Sequence, residues 1–214
     1  VLGPAPDAPF TVLLVCTGNI CRSPLAERVG RDLLARMLGK DAGLVQIVSA
    51  GTRAVVGAQM HPASARVLAE LGGDPCGFRA RQLTDGMAAG ADLTLTMTRE
   101  HRHHVLGRAP RAMSRTFTLR EAAGLLDLPG SDVRLSGPCP VERARALVTT
   151  MAAARSCRAG SGADDVLDPI GQDDVVHSHV GQLVVDALVP VLEHLAAALA
   201  GRDAARLSVD APGP

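Results

Sequence analysis

The chain has no tryptophan, no tyrosine and only three phenylalanines among its 214 residues. A protein so poor in rings has little to stack against a flat substrate. It also has no net charge: 22 Lys+Arg balance 22 Asp+Glu. That balance leaves no electrostatic footprint for nucleic acid or an anionic membrane, so any anion site must be built locally. The five cysteines, Cys16, Cys21, Cys76, Cys139 and Cys157, are odd in number and irregular in spacing, which does not describe a disulfide framework. Val1–Pro9 contains no Lys or Arg, so it does not read as a secretory signal, and the apolar run after it is too short to span a bilayer. These absences predict a soluble protein of the reducing cytoplasm with no nucleic-acid or membrane partner.

What is present is a hydrophobic share of 47%, enough for a sizeable core. Thr11–Val15 is a continuous apolar run, as in a strand buried on both faces. Ser23-Pro24 reads as a helix start, with Ser at the N-cap and Pro at the first helical position. Leu25, Val29, Leu33 and Met37 follow at helical spacing up to Gly39. Strands are expected again at Leu44–Ser49, Asp92–Met97 and Arg115–Leu119. Helices are expected at Pro62–Leu71, Glu100–Leu106, Val141–Arg155 and Val175–Leu199, the last interrupted near Pro190. Strands alternating with helices predict an α/β fold, a four-stranded parallel sheet with helices on both faces. The domain is expected over 11–200, with an insertion at about 127–162, a tail over 1–10 and another over 201–214.

The chemistry is concentrated in Cys16-Thr17-Gly18-Asn19-Ile20-Cys21-Arg22-Ser23-Pro24. This loop joins the first strand to a helix start, beyond the carboxyl end of the sheet, where ligands bind in open parallel sheets. Backbone N–H groups wrapping into a helix N-terminus make a nest for a phosphate dianion. Thr17 through Arg22 are the candidate phosphate binders. The same field favours the thiolate of Cys16, the nucleophilic form. Arg22 can clamp two phosphate oxygens with its planar fork. Ser23 can donate to the Cys16 sulfur and stabilise it as a leaving group, and Gly18 is expected to give the turn a positive φ. For the proton a leaving group needs, the candidate is Asp168, held outward by the following Pro169.

These residues resemble the low-molecular-weight protein tyrosine phosphatase family. Ser49-Ala50-Gly51-Thr52 and Ala80-Arg81-Gln82 are similar to two further short motifs of that family. Asp168-Pro169 falls where the family keeps its general acid. The resemblance implies the phosphate-binding loop after the first strand, a phosphocysteine intermediate, and neither metal nor other cofactor. By the resemblance, Asn19 supports the loop through bonds to Ser23 and Ser49. The chain departs from the family at Phe78, where a histidine often joins that network. It departs again at the substrate rim, where Val55 or Val56, Ile170 and Gly171 stand in place of aromatics.

The expected activity is hydrolysis of phosphate monoesters, with phosphotyrosine protein as the substrate the resemblance implies. Three alternatives use the same loop: a biosynthetic enzyme acting on a small-molecule phosphate ester, an arsenate reductase, and a non-catalytic anion-binding relative. The reductase needs a resolving cysteine pair, and Cys76 has no close partner in sequence. Cys21 reads equally as a packing residue and as a partner that could trap oxidised Cys16 in a disulfide. His101, His103, His104, His177 and His179 are expected on solvated helix faces, and the acidic pairs Asp164-Asp165 and Asp173-Asp174, which flank the Asp168 loop, on solvated surface.

Overall fold

The computed structural model describes residues 8–128, 137–158, 160 and 162–201. Residues 1–7 and 202–214 of the expected tails, and 129–136 of the expected insertion, lie outside the described residues. The first strand, β1 (Phe10–Cys16), is buried at every position but Thr11. Its side chains alternate between two cores. Phe10, Val12, Leu14 and Cys16 enter the larger one, and Leu13 and Val15 enter the smaller. Burial on both faces is why this stretch reads as an unbroken apolar run.

The other strands are β2 (Val45–Gly51), β3 (Leu93–Thr96) and β4 (Thr116–Thr118). They form one sheet in the order β2-β1-β3-β4, with every pairing parallel. The chain leaves β1 toward β2 on one side and returns to β3 on the other. The loop after β1 therefore opens at the point where the strand order reverses, the crevice where open α/β sheets receive ligands.

On one face lie α1 (Arg22–Leu38), α5 (Leu119–Leu126), α6 (Pro140–Ala154) and α7 (Asp174–Ala200). The other face is covered by α3 (Asp85–Gly90) and α4 (Arg99–Arg108), through Ala88, Val105 and their neighbours. A nine-residue helix, α2 (Pro62–Glu70), packs beside α1 and α7. Within the stretch expected as an insertion, α6 places Val141, Ala144, Leu147, Val148 and Met151 in the larger core. By length and composition α7 could cross a membrane. Here it is the central helix of its face, packed on α1, α2, α5 and α6 and continuous through Pro190.

Two local expectations are corrected. Ser23 is not the helix cap: α1 starts at Arg22 with Cys21 as N-cap and no side-chain cap bond. Met37 is exposed, although it continues the spacing of Leu25, Val29 and Leu33. Four-residue steps overshoot a 3.6-residue turn by about 40° each, so that line walks off the buried face. Ser23, Glu27, Gly30 and Leu34, spaced 4-3-4, form the line that stays buried.

Candidate active site

The loop from Cys16 to Arg22 is held by its carbonyls. Those of Cys16, Thr17 and Gly18 accept from the N–H groups of Thr52, Arg53 and Val55 at 2.9, 3.0 and 3.0 Å. The Ile20 carbonyl accepts from His61 N–H at 2.8 Å. All four acceptors are taken by the segment after β2. Among the described residues, the amides of Thr17, Gly18, Asn19, Ile20 and Cys21 donate to no protein acceptor. The N-terminus of α1 adds its own free donors and carries no acidic residue in its first turn to compete for them. Such a concave row of donors is an anion site.

The loop's bend is made at Asn19, whose φ of 53° is the one positive value among the described non-glycine residues. The expected positive φ at Gly18 is not found. Asn is the side chain that best tolerates this region, because it can bond locally. Asn19 is fully buried and every polar atom of its amide is used. Nδ2 donates to Ser23 Oγ at 2.9 Å and to Ser49 Oγ at 2.8 Å. Oδ1 accepts from Arg81 N–H at 2.8 Å. Gly51 lets β2 approach this closely, since a Cβ there would run into the Thr17 carbonyl oxygen.

Ser23 and Ser49 pass the bonds on. With its oxygen accepting from Asn19, the Ser23 hydroxyl has its hydrogen free for the Cys16 sulfur, 2.9 Å away. Ser49 donates to Glu27 Oε2 at 2.5 Å. Glu27 is only 1% exposed and pairs with Arg31 at 2.7 Å and, more loosely, with Arg81 at 3.6 Å. Phe78 does not join this network. It is buried in a satellite cluster with Met60, Leu68 and Ala80.

Arg22 is 4% exposed. Its Nη1 donates to the Val166 carbonyl at 3.1 Å and its Nη2 to Asp168 Oδ2 at 2.6 Å. Its Nε is buried without a partner. Asp168 also accepts from Ile170 N–H through Oδ1 at 3.2 Å, a turn bond that fixes its side chain. The structure thus pairs Cys16 with Ser23 and Arg22 with Asp168, with Cys16 and Arg22 at the two ends of the loop. Val55 and Ile20 stand next to Gly18, and Ile170 and Gly171 follow Asp168. Val55 and Ile170 are about half exposed. All three phenylalanines are buried, so no Phe ring reaches this rim.

Several residues expected on solvated surfaces are buried instead. His101 accepts or donates at both nitrogens, to Thr17 Oγ1 at 2.8 Å and Thr98 Oγ1 at 2.9 Å. Burial, then the Arg22 charge, pushes its pKa down to about 4. It shares a face of α4 with buried Val105, while His103 and His104 are exposed. His177 is buried beside His61, whereas His179 is exposed. Asp164 is buried against the Arg158 guanidinium at 2.5 Å. Asp165 pairs with Arg99, and Asp173 caps α7 through Val176 N–H. Burial pushes the Cys21 thiol up to about 11, against a hydrogen bond from Ser64. Cys76 and Cys157 are exposed and Cys139 is half-buried.

Glu27 and His101 were not expected in the site. Both carried a signal: each sits one helical turn from a residue that faces inward, Glu27 from Ser23 and His101 from the apolar Val105.

The sequence profile of the low molecular weight phosphotyrosine protein phosphatase family matches residues 11–128. The low molecular weight protein-tyrosine-phosphatase Etp of Escherichia coli K12 is 39% identical over 110 residues, half of this chain and 67% of that one. A protein-arginine-phosphatase of Geobacillus stearothermophilus is 34% identical over 136 residues, 64% of this chain and 86% of that one. Among solved structures, the low molecular weight protein tyrosine phosphatase of T. tengcongensis superimposes with a TM-score of 0.62 at 28% identity. That match covers 86% of this chain and 98% of the other.

Proposed function

The chain belongs to the low molecular weight phosphotyrosine protein phosphatase family and is a cysteine-dependent phosphatase; we propose that it hydrolyses phosphate monoesters through a phosphocysteine on Cys16. The observation that carries this reading is the set of donors left without acceptors around Cys16. Five loop amides between Cys16 and Arg22 and the buried Arg22 Nε lack a protein acceptor, and a phosphoryl group seated in the loop would satisfy them together. Buried polar atoms are otherwise almost always paired.

In the first step the Cys16 thiolate attacks phosphorus, an S–P bond forms and the ester P–O bond breaks. Arg22 and the loop amides hold the equatorial oxygens, where charge develops. Asp168 gives its proton to the departing oxygen. In the second step water attacks phosphorus, Asp168 takes a proton from it, and the S–P bond breaks to release inorganic phosphate. The Ser23 hydroxyl stabilises the returning thiolate. Asn19, Ser49 and Glu27 hold the loop in the shape both steps need.

The named relatives are protein-tyrosine and protein-arginine phosphatases, which supports a phosphorylated protein as the substrate class here. The aliphatic rim of Ile20, Val55 and Ile170 favours a second reading, a small-molecule phosphate ester. Either way the selection for flat rings is weak.

Rapid acid quench during turnover of p-nitrophenyl phosphate, followed by peptide mass spectrometry, tests the proposal. A phosphoryl adduct on the Cys16 peptide is expected, and Cys16→Ser should bind phosphate but not turn over. A Cys16→Ser protein that is folded and still active would overturn the mechanism.

A further inference from the structure

One residue of the phosphate loop belongs to a second cluster with its own chemistry. Cys21 comes from the loop, His61 from the residue just before α2, and His177 from the first turn of α7. One ligand atom from each lies within 4.8 Å of the others. The two imidazole rings stack, with centroids 4.9 Å apart and planes 7° from parallel.

The cluster holds unpaired donors in a buried place. His177 is 2% exposed, and its Nε2 has no partner. The Nδ1 of His61 is likewise buried and unpartnered. Ser64 organises the group: its oxygen lies 3.1 Å from His177 Nδ1. A hydrogen on Nδ1 given to Ser64 leaves Nε2 with its lone pair free. That is the arrangement by which outer-shell partners orient metal-binding histidines.

We propose that Cys21, His61 and His177 bind a single zinc-class transition metal ion, with Ser64 orienting His177. One thiolate and two imidazoles are a soft-to-borderline donor set suited to Zn²⁺. Three protein ligands leave a fourth tetrahedral position for water. Bond lengths of about 2.0–2.3 Å place ligand atoms ~3.3–3.6 Å apart, so binding draws them together by up to about 1.5 Å and turns the two imidazoles out of their stack, since each ring bonds a metal in its own plane. On binding, the Cys21 sulfur forms the metal bond as thiolate and its proton goes to solvent. The ion ties the phosphate loop to α2 and α7, elements that already meet through the His61 N–H bond to the Ile20 carbonyl, the Ser64–His177 hydrogen bond and the exposed Arg66–Asp174 ion pair. This departs from the expectation of no metal drawn from the sequence, where these three residues are far apart.

Cobalt reports the site without relying on activity. Co²⁺ titrated into the chelator-stripped full chain should give one equivalent with a thiolate-to-cobalt charge-transfer band and tetrahedral visible bands. The band should survive in Cys16→Ser, because its sulfur is that of Cys21. It should weaken by more than about 100-fold in apparent affinity in His177→Gln and in His61→Asn, beyond the 10–100-fold typical of lost outer-shell partners. Both variants should keep metal-free hydrolysis of p-nitrophenyl phosphate, which shows that each is folded; should one fail to fold, the other decides. Zn²⁺ should raise the thermal midpoint of the parent and not of these variants. No charge-transfer band, loss of the band in Cys16→Ser, or a band retained in a folded histidine variant would each overturn the proposal.

Discussion

Arg22 Nη2 donates to Asp168 Oδ2 across 2.6 Å, joining a guanidinium that is 4% exposed to a carboxylate that is 45% exposed. The proposed phosphate clamp and the proposed proton donor are therefore partners of one another. A phosphoryl group entering the nest must share Arg22 with this carboxylate.

Asp168→Asn separates the two roles. The amide can still accept from Arg22, but it brings no negative charge against an incoming dianion. A pair this exposed is worth no more than about 1 kcal/mol, so inorganic phosphate should inhibit the variant roughly 2–5-fold more tightly, and less so at high salt. Turnover of phenyl phosphate should fall by about 10²–10⁴-fold. Turnover of p-nitrophenyl phosphate, whose leaving group hardly needs a proton, should fall much less. Equal losses on the two esters with an unchanged phosphate inhibition constant would remove Asp168 from the mechanism.

Glu27 is the buried end of the chain of bonds that begins at Asn19. Glu27→Gln keeps the shape but gives up the charge that Ser49, Arg31 and Arg81 address. Arg31 and Arg81 are each nearly half exposed, so the substitution strands no buried cation. The loss should therefore be that of charged hydrogen bonds, about 1–3 kcal/mol, rather than that of a broken buried pair. Urea unfolding measures it. The loosened loop should also cost on the order of 10–100-fold in kcat/KM, since small misplacements are expensive in a positioned site. A stability loss with kcat/KM intact would make Glu27 a fold anchor only.

His101 makes stability depend on pH. Unfolded, its imidazole takes a proton near pH 6.5. Folded, burial and the Arg22 charge delay this to about 4. Between those values the unfolded state binds a proton that the folded state refuses. Stability is therefore full above about 6.5, falls as pH drops through this window, and levels off below about 4. The amount is on the order of 3 kcal/mol at most. His101→Gln keeps a bond to Thr17 available but does not titrate, so its stability curve should be flatter over the same range. His177 is shifted in the same direction and leaves a residual slope. Parallel curves for the parent and His101→Gln would sink this account.

The phosphate loop was legible because every local preference agrees there: a doubly buried apolar strand, a turn, and a helix start with Arg22 and Ser23 side by side. The supporting shell was less legible because its members hide in polar runs. In His101-Arg102-His103-His104 only one histidine faces inward, and composition does not say which; the one-turn spacing to Val105 does. Glu27 lies among α1 residues whose most obvious apolar line, ending at Met37, rotates away from the core. The pairing of Arg22 with Asp168 and the meeting of Cys21, His61 and His177 depend on how α7 and the loop before it return to the sheet. No local pattern encodes that return.

The rim sets the last expectation, which concerns substrate choice. An aromatic neighbour adds about 0.5–1.5 kcal/mol to ring binding, from a few-fold to about tenfold per contact. Tyr and Trp are absent and every Phe is buried, so that contribution is missing. Val55 and Ile170 offer apolar area that an alkyl or an aryl ester can bury alike. A phosphotyrosine peptide should therefore exceed aliphatic phosphates of similar leaving-group pKa by less than about a hundredfold in kcat/KM, equivalent to 2.7 kcal/mol. A larger ratio would refute the reading. Adding a ring tests it from the other side, and the backbone decides where. Gly171 has a φ of 76°, where a tyrosine would cost about 1–2 kcal/mol in strain, so Gly171→Tyr would disturb the Asp168 loop itself. Ile170→Tyr and Val55→Tyr replace half-exposed side chains at positions free of that strain. Each should raise the preference for phosphotyrosine over an aliphatic phosphate by a few-fold, chiefly through KM. Unchanged ratios in both variants would mean that the substrate's ring does not pass between these two residues.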